Sequence, residues 1–214
     1  VYNDFYIGED ADVVIVAGCG IHNCGDQKSQ HDGIHTFHVG KNARVKYIEK
    51  HYGEWEGTGD KVLNPTTVVY MDENYYADME MVQIKGVDST KRDTSAHLQS
   101  GAKLVITERL MTHGSQFAES NVDISLDGDD ASTQVISRTV GTDAPCRAHV
   151  QCDSIIMGDA KISSIPEIDA QNSDAQLIHE AAIGKINNDQ LLKLMTFGMT
   201  QDEAEEVIIQ GFLK

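Results

Sequence analysis

The sequence predicts a mainly β protein, a β-solenoid followed by a small C-terminal α-helical domain. Three observations carry that expectation. A turn of Gly, Asp or Asn leading into Ala and then a strand recurs down the chain. The strand candidates are short, rich in β-branched residues and alternate apolar with polar. Helical spacing is absent until about Ser173 and plain after Asn172.

The recurrence runs through EDADVVIV from Glu9, GKNARVKYIE from Gly40, NYYADMEMVQI from Asn74, SGAKLVITE from Ser100, DGDDASTQVIS from Asp127 and MGDAKISSI from Met157. Its alanines are Ala11, Ala43, Ala77, Ala102, Ala131 and Ala160, separated by 32, 34, 25, 29 and 29 residues. Second strand candidates lie between them: His35 to Val39, Thr66 to Met71 and Asn121 to Leu126. Alternation is read as Val45 and Tyr47 against Lys46 and Glu49. A β-sandwich also has short strands and turns, but a small residue repeated at one position points to coils stacked on one another. The first turn would present an unprotected edge, so preceding sequence is expected before Val1. Residues 1–172 are assigned to the β core and 173–214 to the helical domain. Three stretches read as helices there: DAQLIHEAAIGKI, NDQLLKLMTFG and TQDEAEEVIIQGFLK. Thr200 and Glu203 form a capping box, Gly198 sits where the preceding helix should end, and Ala204, Val207, Ile208 and Phe212 share one face. That face packs on its own domain or docks a partner.

The charge narrows the functions. With 17 basic against 34 acidic side chains in 214 residues, the net charge is −17. Such a surface repels phosphate backbones and anionic lipid, which argues against nucleic-acid and peripheral membrane binding. No run of eighteen apolar residues predicts a membrane span, and no signal peptide is visible. Four cysteines are too few for a disulfide scaffold. Reduced thiols in the cytoplasm, free for metal or redox work, are expected.

Two regions offer ligands. In GCGIHNCG, Cys19, His22 and Cys24 give a C-x2-H-x-C spacing of soft donors within a glycine-rich turn. No second cysteine pair completes a strong metal pattern, so a metal site and a turn with incidental ligands both stand. His31 and His35 in HDGIH could chelate without a carboxylate clamp, while His38, His51, His97 and His113 suit strand faces. The second region holds Cys146 and Cys152 in PCRAHVQCDSIIMGD, then adjacent His179 and Glu180 in LIHEAAIGKI. A thiol, an imidazole and a carboxylate brought together would suit iron. Walker A, G-x-S-x-G, H-E-x-x-H and dinucleotide-binding patterns are absent.

The stretches VGKNARVKYIEKHYGE, MVQIKGVDSTKRDT, AESNVDISLDGDDASTQVISR, QCDSIIMGDAKISSIPEIDAQN and DAQLIHEAAIGKINNDQLLKLMTFGMTQDEAEEVIIQGFLK resemble the SufB/SufD family, the scaffold proteins of SUF iron–sulfur cluster assembly. H-E-A-x-x-G-K-I, then Q-L-x-x-L-M and G-F-L, carry the resemblance most specifically. It implies a right-handed parallel β-helix before the helical domain, and no catalysis by the chain itself. Pairing with a SufB- or SufD-like partner or a second copy, through the β-helix, is implied. So is docking of a SufC-type ABC ATPase through the C-terminal helices, with a cysteine desulfurase or sulfur carrier as a further partner. Cys152, Glu180 and His179 are the implied site residues for a transient iron–sulfur cluster. If extended, His179 and Glu180 would face opposite sides. The chain lacks the family's N-terminal domain and early turns, is shorter between Val140 and Cys146, and carries SSIPEIDA as short homologues do. A metal-dependent β-helix enzyme and a purely structural solenoid subunit are the competing readings.

Overall fold

Each strand lies parallel to the strand two places further along the chain, so the backbone winds as a two-sheeted solenoid. A computed structural model describes residues 1–55, 57–142, 146–156 and 160–212. The first sheet holds β1 (Tyr2–Ile7), β3 (Ser29–Val39), β5 (Lys61–Met71), β7 (Ser89–Leu98), β9 (Phe117–Leu126), β11 (Arg147–Ile156) and β13 (Gln176–Lys185) in that spatial order. The second holds β2 (Asp12–Asn23), β4 (Arg44–Trp55), β6 (Tyr76–Lys85), β8 (Lys103–Thr112), β10 (Ser132–Gly141) and β12 (Lys161–Ala170). Two helices follow, α1 (Asn188–Thr196) and α2 (Gln201–Phe212). Among the described residues no helix is long and apolar enough to cross a membrane.

The recurring turn has a backbone cause. At five of these turns one residue has positive φ: Asp10 at 56°, Asn42 at 57°, Asn74 at 63°, Gly101 at 72° and Asp130 at 59°. Asp, Asn and Gly are the residues that enter this left-handed region at least cost. The amide of the next residue then closes the turn, as Ala43 N does on Gly40 O and Ala131 N on Gly128 O, both at 3.3 Å. The turn at 157–159 and the side chain of Phe212 lie outside the described residues.

The stacked turns correct one member of the alanine series. Tyr76 N donates to Ala43 O at 3.4 Å and Lys103 N to Tyr75 O at 2.7 Å. Fully buried Tyr75 therefore occupies the small-residue column, and Ala77 pairs with Val45 two residues on. The uneven spacings of 34 and 25 thus become an advance of 32 residues per turn in the first coils, then of 27 to 30.

Two further expectations change. Glu49 shares the parity of Val45 and Tyr47, so it points inward and is buried rather than opposing them. Residues 176–185, read as helix, form β13 in register with β11, so helix begins only at Asn188. The remaining helical signals hold. Thr200 N donates to Glu203 Oε2 at 2.8 Å while Glu203 N donates to Thr200 Oγ1 at 3.3 Å, and Gly198 has φ +95° after α1.

One half of the interior, against the Asp/Asn turns, is apolar, with Phe37, Val39, Met71, Leu98, Leu104 and Ile106 stacked in columns. The other half is ionic. Arg92 is fully buried between two carboxylates, Nη1 donating to Glu49 Oε2 at 2.7 Å and Nε lying 3.5 Å from Glu108 Oε1. His51 contacts both partners, at 3.0 Å from Arg92 and 3.3 Å from Glu49. The Tyr47 hydroxyl links His35 at 2.8 Å to Glu49 at 3.0 Å. The Ser120 and Ser137 hydroxyls donate to Glu108.

Removing one partner of a buried ion pair leaves an uncompensated charge. Arg92→Leu should therefore lower unfolding free energy by about 3–5 kcal/mol in a denaturant titration. Lys91→Leu, which breaks an exposed pair with Glu119, should cost less than about 1 kcal/mol. A pH series checks the network separately. Burial would raise the Glu49 carboxyl, but Arg92 and His51 hold it well below the usual range. Burial depresses His35 and His51. The unfolded chain then binds more protons in acid, so melting temperature should fall from about pH 7 to pH 5. His51→Gln should flatten that slope.

Candidate functional site

Inward positions in a strand recur every second residue. In β11 they are Ala148, Val150, Cys152 and Ser154, all buried. In β13 the same parity carries Leu177, His179, Ala181 and Ile183, with Val150 beside His179 and Cys152 beside Ala181. Cys152, at the edge of the apolar core, and His179, in the column above Arg92, Ser120 and Val150, thus face each other inside the coil, Cys152 Sγ standing 3.8 Å from His179 Nε2. His179 Nδ1 is buried without a hydrogen-bond partner among the described residues. The pair sits where the coil opens. On the final strands inward Ile168 and Ile183 are 47% and 51% exposed, whereas their counterparts in earlier coils are covered.

The electrostatics keep both groups neutral. Burial, reinforced by Glu108 and Asp153, pushes the Cys152 thiol up to about 12. Burial also lowers the His179 imidazolium, against an opposite pull from Glu108. A neutral thiol beside a neutral imidazole binds little by itself. A soft or borderline cation would displace the thiol proton and find sulfur and nitrogen donors suited to iron. Among the described residues no three His, Cys, Asp or Glu side chains are grouped to hold a metal ion. Further ligands would have to come from the cargo or from another chain.

Glu180 is on the other side of the sheet. It is exposed, Oε2 lying 3.9 Å from His149 Nε2, and it lines a shallow recess with Gln151, Asp153, Ala181 and Ala182. That surface is acidic: burial raises the Asp123 carboxyl, and Asp153 and Asp93 push it further the same way. The geometry brings two of the three expected residues together and separates the third.

GCGIHNCG also resolves differently from a turn. Strand β2 runs to Asn23, so Cys19 points inward beside Ile21, while His22 faces solvent. Cys19 thus faces away from His22 and Cys24, and the three C-x2-H-x-C donors do not meet at one point. His31 and His35 flank Gly33 on its inner side, and His35 is bonded to Tyr47. His38 stacks between Tyr6 and Tyr70, His97 stacks on Tyr70 and pairs with Asp127, and His113 contacts Thr142 at 2.6 Å. Missed from sequence were Arg92 and Glu108. Their signal is a charge at an inward strand position, visible only once strand parity is fixed.

Comparison with known proteins bears on this end of the chain. The profile of the SufBD core domain of SUF-system FeS cluster assembly matches residues 142–212, which include Cys152, His179 and Glu180. An iron–sulfur cluster assembly SufBD family protein of Methanocaldococcus jannaschii is 28% identical over 98% of this chain and 70% of its own length. One from Archaeoglobus fulgidus is 26% identical over 100% of this chain and 60% of its own length. The SufB of Bacillus subtilis is 36% identical over 32% of this chain and 15% of its own length. The chain thus spans well short of the full length of the proteins it resembles.

Burial and a thiol held neutral predict that Cys152 resists iodoacetamide in the native protein and reacts once denaturant is added. Peptide mapping after timed labelling checks this. Native labelling at the unfolded rate would contradict the interior placement.

Proposed function

From its similarity to SufBD family proteins of iron–sulfur cluster assembly, we propose that the chain belongs to that family and is a non-enzymatic scaffold on which a nascent cluster is held and then released. The observation that carries this is the Cys152–His179 pair, a sulfur and a nitrogen donor 3.8 Å apart at the open end of the solenoid. Two protein donors leave an iron ion incompletely coordinated. Incomplete protein ligation suits a cargo that must leave again, since inorganic sulfide and a second chain supply the rest. Glu180 acts from the outer face, toward a partner or an arriving iron ion, with His149 and Asp153 beside it.

The rest of the proposal concerns partners. The open coil end leaves the inward apolar side chains Ile168 on β12 and Ile183 on β13 uncovered, at 47% and 51% exposure. This end suits pairing with a SufB- or SufD-like chain or a second copy, which would close the site. The helices offer another surface. Leu194, Phe197, Val207, Ile208 and Gly211 line a groove in which Phe197 is 73% exposed. A SufC-type ATPase is the proposed occupant, in the cytoplasm, with a cysteine desulfurase or sulfur carrier as the sulfur source. Where the β core gives way to a separate helical domain belongs to the same proposal, with residue 186 as the boundary.

Anaerobic reconstitution with ferrous iron and sulfide tests the scaffold reading. The wild-type chain, with its partner, should develop visible cluster absorbance that Cys152→Ala loses and His179→Ala diminishes. Equal incorporation in Cys152→Ala would remove Cys152 from the site. Capture of a SufC-type ATPase should require residues after 186, and binding retained without them would sink the docking proposal.

A further inference from the structure

The motif left over from the assembly site is the turn after β2. Asn23, 5% exposed, turns inward and anchors it: Nδ2 donates to Gln27 O at 2.9 Å and Gly59 O at 3.0 Å, and Oδ1 accepts from Gly25 N at 3.0 Å. The side chains on either side of Asn23 point outward. Cys24 Sγ lies 2.7 Å from His22 Nε2, and both side chains are exposed. The other thiols are shielded, Cys146 and Cys152 buried and Cys19 half-buried beneath the same strand. A thiol and a base within hydrogen-bond reach, held on an anchored turn and open to solvent, are the parts of an activated nucleophile.

We propose that Cys24 and His22 form a surface dyad that undergoes thiol–disulfide exchange with partners carrying an accessible sulfur–sulfur bond. This inference is independent of the assembly reading. His22 Nε2 accepts the Cys24 proton, and the thiolate attacks one sulfur of the incoming disulfide. The sulfur–sulfur bond breaks, and the second sulfur leaves as a thiolate that takes the proton back from the imidazolium. The products are one mixed disulfide at Cys24 and one free thiol. The incoming disulfide is the oxidant, and no other reactant is needed.

The test uses the intact reduced chain with two probes, oxidised glutathione and dithiobis(nitrobenzoate), followed by stopped-flow absorbance and peptide mapping. One fast phase should map to Cys24, at a rate near pH 7 roughly tenfold or more above that of reduced glutathione. His22→Gln and His22→Asn should bring it down to the free-thiol rate with unchanged melting temperature, since His22 is exposed. Cys24→Ser should abolish the phase. The proposal is overturned if wild type reacts no faster than glutathione, if both His22 variants react as fast as wild type, or if the fast phase survives Cys24→Ser.

Discussion

In-register stacking of successive coils is the constraint on which this structure depends. Each coil must return its backbone to the strand beneath it, and parallel pairing then places like positions in columns. The left-handed residue at Asp10, Asn42, Asn74, Gly101 and Asp130 turns the chain at the same point in five successive coils. Coil length can change, from 32 residues to 27, provided that this turn and the strand after it stay aligned. Tyr75 shows the tolerance of the column: a large side chain stands where alanine stands above and below, and the ladder passes through it unbroken.

Columns also decide what the interior contains. Apolar columns fill the half beside the Asp/Asn turns and supply the hydrophobic stabilisation. The opposite half buries Arg92, Glu49, Glu108, His51 and His35, which hydrophobic burial alone would never select. Two carboxylates around one guanidinium leave this half electronegative. The same field reaches Cys152 and His179 through Glu108. A cation at the coil's open end would be drawn to a thiol that is otherwise kept protonated. Fold and proposed cargo are linked at this point, because the network that locks the coils together also sets the electrostatics of the site.

Much of the architecture was legible in the sequence because turn chemistry is local. An Asp, Asn or Gly before a small residue reports the left-handed turn directly. What was not legible depends on pairing partners. QLIHEAAIGK carries two Ala with Gln, Leu, Glu and Lys, all good helix formers, yet it pairs with β11 along its whole length and becomes β13. Tertiary pairing overrides weak propensity. The same strand then separates Glu180 from Cys152, since adjacent residues face opposite sides. Strand parity likewise hid Glu49, and Arg92 pairs with it across 43 residues of chain, a spacing no motif reveals.

The central claim is that Cys152 and His179, rather than Cys152 and Glu180, hold the cargo from inside the solenoid. Pulsed electron paramagnetic resonance on the reduced, reconstituted cluster tests it most directly. Imidazole nitrogen coupling should be present in the wild-type chain, absent from His179→Ala and retained in Glu180→Gln. Coupling that persists in His179→Ala, or a wild-type cluster with no nitrogen coupling, would contradict the account.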